Sequence, residues 1–327
     1  MSNLRFPKIL KALACPRDHK PLQEISDSLE CEDGHRYGIV EGIPILLVSE
    51  ATQTHIEADR ALAIAEGRDK NPLPQITTRG QEVDFFVQNT IAGTNGSLYG
   101  PLIGKLKEYP IPNLRLPAAQ GAAFLDIGCN WGRWSIAATR MGYQVFGIDP
   151  SLKSIRAAYR VSHQLGLEIA FAVADARFLP FPSSSFEQAF SYSVLQHFSK
   201  DDCRIALREI RRVLKPAGKS LVQMPNAFGP RCLYIQLRRG FGDPGGFNVR
   251  YWTPRELLRS FSEAIGPSSL SVDGYFSLDP QISDVHMLPR RYRPIVYASE
   301  ALRRLSHYMP WMSSVADSLY ITTTRAN

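Results

Sequence analysis

The sequence predicts an α/β protein built on a doubly wound, mostly parallel sheet. Three observations lead there. From residue 122, apolar runs of strand length alternate with stretches of helical spacing. A tight glycine turn, FLDIGCNWGRW at 124–134, joins the first of these strands to the first of these helices. Two more β-rich runs close the chain. Strands and helices alternating at this length form crossover units, which cover both faces of a parallel sheet with helices. The totals, 327 residues with 44% hydrophobic and 21% charged, are those of a globular chain.

The elements follow in order. Residues 1–50 read as a small β-rich unit, in which SLECEDGHRYGIVEGIPILLV sets Gly and Asp turns before two strand-like runs. Residues 51–117 form a connector. It is helical over 51–67, then rich in Pro, Gly and Asn around NPLPQ (71–75) and AGTNGSLYGPL (92–102). The main domain, 118–327, opens with the strand AAFLDIG and the helix WGRWSIAATRMG, which ends on a glycine stop. The strand QVFGID, the helix SLKSIRAAYRVSHQLG and the strands LEIAFAVADA and FEQAFSYSV follow. A capped helix, SKDDCRIALREIRRVLKPAG, leads to a fifth strand, KSLVQMPN. SLSVDGYFSL and SLYITTTR are the last two strands, and insertions near 229–255 and 280–315 are expected to cap the domain.

The glycine turn narrows the ligand. Beginning at Gly128 the chain reads Gly-Cys-Asn-Trp-Gly-Arg, with Asn130 and Arg133 where G-x-G-x-x-G has its second and third glycines. A pyrophosphate needs the close backbone approach those glycines allow, so NAD and FAD are disfavoured. The stretch instead resembles the first motif of class I S-adenosylmethionine methyltransferases, D-x-G-x-x-x-G, here Asp126, Gly128 and Gly132. The resemblance runs in order and spacing over roughly 118–230. It implies a Rossmann-like seven-stranded sheet with S-adenosyl-L-methionine as cofactor. It assigns Asp126, Gly128, Asn130 and Gly132 to the turn, and Asp149, 21 residues beyond Gly128, to the ribose hydroxyls. Asp175 and Ala176 in VADARFLPF would meet adenine, and Ser191 in SYSV would complete the cofactor site. Glu187 replaces the family's usual aspartate, and Ala217 a common glycine. Trp131 and Trp134 stand three apart at the helix start and can share one face; core packing is the expected role, with a cofactor contact by Trp131 as the alternative.

Methyl transfer from a sulfonium is an in-line displacement, so the protein contributes mainly alignment. In similar enzymes a residue at the place of His197 lies near the reacting methyl, which makes His197 the candidate general base. The signature of exocyclic-amine nucleic-acid methylation is absent after the fourth strand, where SYSV stands. The expected acceptor is a small metabolite, glycan or lipid-linked intermediate, methylated on oxygen or nitrogen. An RNA-directed methyltransferase and a non-catalytic cofactor-binding scaffold are the alternatives.

The N-terminal unit, LACPRDHKPLQE…LECEDGHRYGIVEGIPILL, resembles the small Trm112-like, zinc-ribbon-like module, which often carries zinc in two C-x₂-C pairs. Asp18 and Gly34 occupy the second positions here. Cys15 with His19 and Cys31 with His35 form two Cys/His pairs that tetrahedral zinc would accept, yet a metal-free module is the favoured reading.

Net charge is +7, but the basicity is local: residues 231–327 carry twelve Arg and no Lys against eight acids. Ile295, Ala298, Leu302, Leu305 and Met309 recur at helical spacing before Pro310, giving an expected packing face with a basic edge, or a surface for anionic lipid and peripheral membrane contact. FNVRYWTPRELLRSF is expected to hold a helix start at Thr253-Pro254 and to shape the acceptor pocket. Arg5, Lys8 and Lys11 interrupt the first apolar stretch, so no secretory leader is expected. Five scattered cysteines suggest a reducing, cytoplasmic setting.

Overall fold

The computed structural model describes residues 7–69, 82–277 and 280–326. Arg5, the NPLPQ stretch and Leu278 lie outside these residues. An antiparallel meander comes first: β1 (Gln23–Ile25), β2 (Ser28–Glu30), β3 (Arg36–Val40) and β4 (Ile43–Leu46). Helices α1 (Ile56–Ala65) and α2 (Phe85–Asn95) occupy the connector. The alternating part runs β5 (Ala123–Ile127), α3 (Arg133–Arg140), β6 (Gln144–Asp149), α4 (Leu152–Gln164), β7 (Ala170–Ala174), β8 (Phe186–Tyr192), α5 (Lys200–Val213) and β9 (Leu214–Pro225). Helices α6 (Pro230–Arg238) and α7 (Pro254–Ala264), strand β10 (Ser268–Gly274), helix α8 (Arg293–Leu305) and strand β11 (Ser318–Thr324) complete the chain.

The strands join one sheet in the order β1-β2-β3-β4-β7-β6-β5-β8-β9-β11-β10. Its last seven strands in that order, β7 to β10, are the doubly wound sheet read from the sequence. The sheet itself has eleven strands rather than seven, because the N-terminal meander is joined to it: Ile45 and Leu46 of β4 pair in parallel with Val173 and Ala174 of β7. The chain winds from β5 outward through β6 to β7, then returns to β8 on the other side. This leaves a crevice at the carboxyl ends of β5 and β8, where such sheets bind ligands.

Successive residues on a strand face opposite sides, so each central strand feeds two cores. Phe124 and Phe190 face α3, where Trp134 packs 5.0 Å from Phe190 between ring centres. Leu125 and Ile127 share the opposite core with Leu207 and Ile210 of α5 and with Leu257 and Phe261 of α7. Fully burying a side chain such as Phe124 or Phe190 contributes about 1.5–3 kcal/mol.

Local chemistry starts the helices. The Ser151 hydroxyl accepts the Ser154 N–H at α4, and Ser199 accepts the Asp202 N–H at α5. Asp201 and Asp202 in the first turn of α5, with Arg211 and Arg212 in the last, complement its dipole. Thr253 and Glu256 form the expected capping box at α7, with Pro254 at its first position.

Two local expectations change. The α5 helix stops at Val213, and the Pro-Ala-Gly stretch belongs to β9, where Ala217 takes φ +59 in a bulge between the Phe186–Leu214 and Gln188–Lys219 pairs. On α8 the buried residues are Val296 and Ser299, the latter because its hydroxyl accepts the Tyr275 N–H at 3.0 Å. The predicted stripe is therefore rotated away from the core: Ile295, Ala298 and Leu305 are exposed, and only Leu302 and Met309 pack partly against it. Among the described residues no helix is long and apolar enough to cross a membrane.

Candidate cofactor and acceptor site

A cavity of about 610 Å³ opens at the carboxyl ends of the central strands. Its floor is the glycine turn. Gly128 takes φ +75, and a Cβ there would stand 2.2 Å from the Val194 Cγ2 atom. Only glycine lets the backbone pass this point and keeps the wall open. Gly132, at φ +86, turns the chain into α3, but it does not line the cavity.

Asp149 ends β6 at the cavity edge. One carboxylate oxygen accepts the Asn130 N–H at 3.0 Å and the other the Ser151 N–H at 2.9 Å. Both oxygens keep free lone pairs for further donors. Burial pushes its pKa up to about 6. Asp126 lies behind the turn, where the Ser135 hydroxyl donates to it at 2.6 Å, and burial raises it to about 7. Asp126, Gly132 and Ser191 therefore stand outside the lining. Ser191 is buried, with its hydroxyl donating to the Ile127 carbonyl at 3.1 Å. Gly128, Asn130, Asp149, Asp175, Ala176 and His197 do line the cavity.

Asp175 comes with a partner not foreseen from sequence. Arg177 bonds both of its oxygens, with Nη2 at 2.7 Å, and also reaches Asp202 at 3.1 Å and the Thr52 carbonyl at 2.8 Å. Arg177 thus fixes the Asp175 carboxylate and ties it to the N-terminal part of the chain. Its position two residues after a strand-end aspartate is the only signal the sequence offered.

The connector forms the roof. Thr94 and Asn95 from the end of α2 line the cavity. Asn95 is 1% exposed; its carbonyl oxygen accepts the Trp131 indole N–H at 3.3 Å, and its Nδ2 has no hydrogen-bond partner in the structure. The tryptophans do both things: Trp131 is buried and orients a roof amide, Trp134 packs beside Tyr192 at 4.9 Å, and both line the cavity. Arg133 also lines the cavity, with its guanidinium 3.2 Å from Asp284, which in turn accepts from the Tyr99 hydroxyl.

At the mouth, His197 stacks on Phe247 with ring centres 4.0 Å apart and planes 9° from parallel. His55 meets the same ring edge-on at 4.5 Å. Burial, then the neighbouring His55, pulls the His197 pKa down to about 4, so the imidazole is neutral at pH 7. Phe247 and His55 arrive from distant segments, and no local pattern announces them.

The predicted Cys/His pairs do not assemble as read. Cys15, Cys31 and His35 converge, but His19 takes φ +62 and faces Glu209 at 3.6 Å. Asp18 stands in its place beside the other three.

Comparison with known proteins finds similarity over the part of the chain that carries the glycine turn. Residues 124–218 match the family model described as a methyltransferase domain. An O-methyltransferase of Aspergillus sclerotiorum is 36% identical over 109 residues, covering 32% of this chain and 40% of that protein. The 27-O-demethylrifamycin SV methyltransferase of Amycolatopsis mediterranei is 34% identical over 107 residues, 32% of this chain and 39% of that protein. The chain thus spans about two fifths of the length of these curated relatives. Among solved structures, phosphoethanolamine N-methyltransferase 2 of Haemonchus contortus aligns at a TM-score of 0.49 and 17% identity, over 79% of this chain and 62% of that one. The YcgJ protein of Bacillus subtilis aligns at 0.42 and 21%, over 65% and 94%. Residues 124–218 are thus similar in sequence to methyltransferase domains.

Proposed function

We propose that this protein transfers a methyl group from S-adenosyl-L-methionine to an oxygen of a small acceptor. The observation that carries the reading is the pairing of an open Gly128 turn with Asp149, a carboxylate held by two backbone N–H groups at the same cavity edge. Asp149 would accept from the ribose hydroxyls, and the Asp175–Ala176 corner would meet adenine. The free Asn95 Nδ2 and the Arg133 guanidinium supply donors suited to the methionyl carboxylate. The cofactor supplies an activated methyl, so alignment accounts for most of the acceleration, on the order of 7–11 kcal/mol for well-placed reactants.

The choice of oxygen rests on the curated relatives, several of which are O-methyltransferases. A hydroxyl acceptor must lose its proton, and His197 at the mouth is the group placed to take it, though burial that keeps it neutral also makes it a weak base, which an acceptor bound beside it must offset. In a turnover assay over a panel of phenolic and aliphatic hydroxyl acceptors, His197→Ala should lower turnover about 10²–10⁴-fold while cofactor affinity stays the same. Undiminished turnover would remove His197 from the chemistry, and no transfer to any acceptor despite tight cofactor binding would favour a binding scaffold.

A lipid-linked acceptor is the finer reading. Tyr234, Leu237 and Phe241 on and after α6 are exposed, as are Tyr308 and Trp311 after α8, with Arg231, Arg238 and Arg239 beside the first group. Aromatic and basic side chains together suit an anionic membrane surface. Flotation with anionic and zwitterionic vesicles tests this, and absence of binding to either rules out the membrane route. Tight, steeply salt-dependent binding to structured RNA would instead favour an RNA acceptor.

A further inference from the structure

Outside the lining of the cofactor cavity, four potential ligand atoms converge in the N-terminal unit. The His35 Nδ1 atom lies 3.4 Å from Cys15 Sγ, 3.4 Å from Cys31 Sγ and 2.9 Å from an Asp18 carboxylate oxygen. The same oxygen is 3.3 Å from Cys31 Sγ, and all four donor atoms lie within 4.8 Å of one another. For a tetrahedral cation with metal–sulfur bonds of about 2.3 Å and metal–nitrogen or –oxygen bonds of about 2.0–2.2 Å, the ligand–ligand edges are about 3.3–3.8 Å. The observed spacings are close to that cage.

Without a cation these groups pair through their own protons, the Cys31 S–H and the His35 Nδ1 atom both meeting one Asp18 oxygen and Cys15 meeting the Tyr37 hydroxyl. A single Nδ1 proton faces two sulfurs and a carboxylate oxygen, and can be donated well to only one of them. A cation at the centre satisfies all four groups at once.

The surroundings are built to hold ligands in place. The turns Cys15–His19 and Cys31–Gly34 close through backbone bonds, His19 N–H to Cys15 carbonyl at 2.8 Å and Gly34 N–H to Cys31 carbonyl at 3.0 Å. The Lys20 N–H holds the second Asp18 oxygen at 2.9 Å. The Tyr37 hydroxyl stands 3.2 Å from Cys15 Sγ and is itself held by Arg17 at 2.6 Å. Such an outer layer orients ligands and tunes the bound cation.

We propose that Cys15, Asp18, Cys31 and His35 form a closed, structural site for a tetrahedral divalent cation of the zinc class. Two sulfurs, one imidazole and one carboxylate favour a borderline-soft ion over magnesium or calcium. Four protein ligands leave no open position, so the site staples the meander and performs no chemistry. The inference does not depend on the methyl-transfer reading. It replaces His19 of the sequence reading with Asp18.

The test uses the full chain made without a histidine tag. Metal analysis should find about one zinc per chain, and cobalt(II) replacement should give the visible bands of tetrahedral coordination with sulfur-to-metal charge transfer. Asp18→Ala and His35→Ala should each weaken cation affinity at least about tenfold, whereas His19→Ala should leave it unchanged. If a ligand variant fails to fold, the wild type is stripped with chelator and its melting temperature followed as zinc is restored; a rise supports the site and no change counts against it. Less than about a tenth of an equivalent of zinc with no cobalt bands overturns the proposal. So does loss of the cation in His19→Ala with retention in Asp18→Ala.

Discussion

Asp149→Asn tests the cofactor reading most directly. The wild-type carboxylate uses one lone pair on each oxygen for the Asn130 and Ser151 N–H groups, leaving the others for the proposed ribose hydroxyls. Asparagine keeps the shape but sets an NH₂ against one of those N–H groups and removes the charge. A hydrogen bond to a charged group is worth about 1.5–3 kcal/mol. At 1.4 kcal/mol per tenfold, losing one weakens binding of S-adenosylmethionine about 10- to 140-fold.

The pH dependence adds a second readout. Burial places the Asp149 pKa near 6, above its ordinary value, and the ribose hydroxyls donate to the ionised form. Wild-type affinity should therefore fall as pH drops through 6, by roughly tenfold between pH 7 and pH 5. The variant should lose that slope. Asp126, raised to about 7 behind the same turn by burial and in part by the Asp149 charge, still titrates in the variant, at a lower pH, so any slope that remains reports on it. Isothermal titration at several pH values measures both effects, with circular dichroism to confirm the fold. A variant that binds within about twofold of wild type, far short of the expected loss, would refute the assignment of Asp149 to the ribose.

Gly128→Ala should destabilise the protein by about 2–5 kcal/mol in chemical denaturation, combining about 1–2 for left-handed backbone with about 1–3 for the Val194 clash. Adding Val194→Ala should return the steric part, and a double variant no more stable than the single one would place the strain elsewhere. Asp126→Asn should reduce the loss of thermal stability between pH 5 and pH 8. The raised native pKa means that the folded state holds a proton the unfolded chain releases, so this contribution is complete below the unfolded pKa near 4 and is lost as pH rises through about 7. Identical melting curves for variant and wild type across that range would contradict the burial argument.

The central strands were legible because buried parallel strands are short apolar runs bounded by turns, and the glycine turn carries its own signature in Gly128 and Asp149. Pairing across distance was not. Ile43–Leu46 reads as a strand, but nothing local says that it pairs with β7, more than a hundred residues later. The mouth of the cavity failed to show for the same reason, since His55, His197 and Phe247 meet only once the chain has folded. On α8 the period of the apolar residues was sound, yet a serine hydroxyl bonded to Tyr275 decided which face went inward. Asp18 was passed over because the spacing drew attention to histidines, whereas the local turn directs His19 toward Glu209.

The junction between β4 and β7 has a consequence for solubility. A parallel sheet that ended at β7 would offer the solvent-facing backbone of AFAVA, an apolar, uncharged strand, as a template for any passing chain. The meander moves that margin outward to β1, three residues long and bearing Glu24. At the opposite margin β10 presents serines. Removing the first 46 residues should therefore do more than delete a small unit. It would leave an adhesive border on the remaining sheet, and self-association would follow before any loss of cofactor binding could be measured.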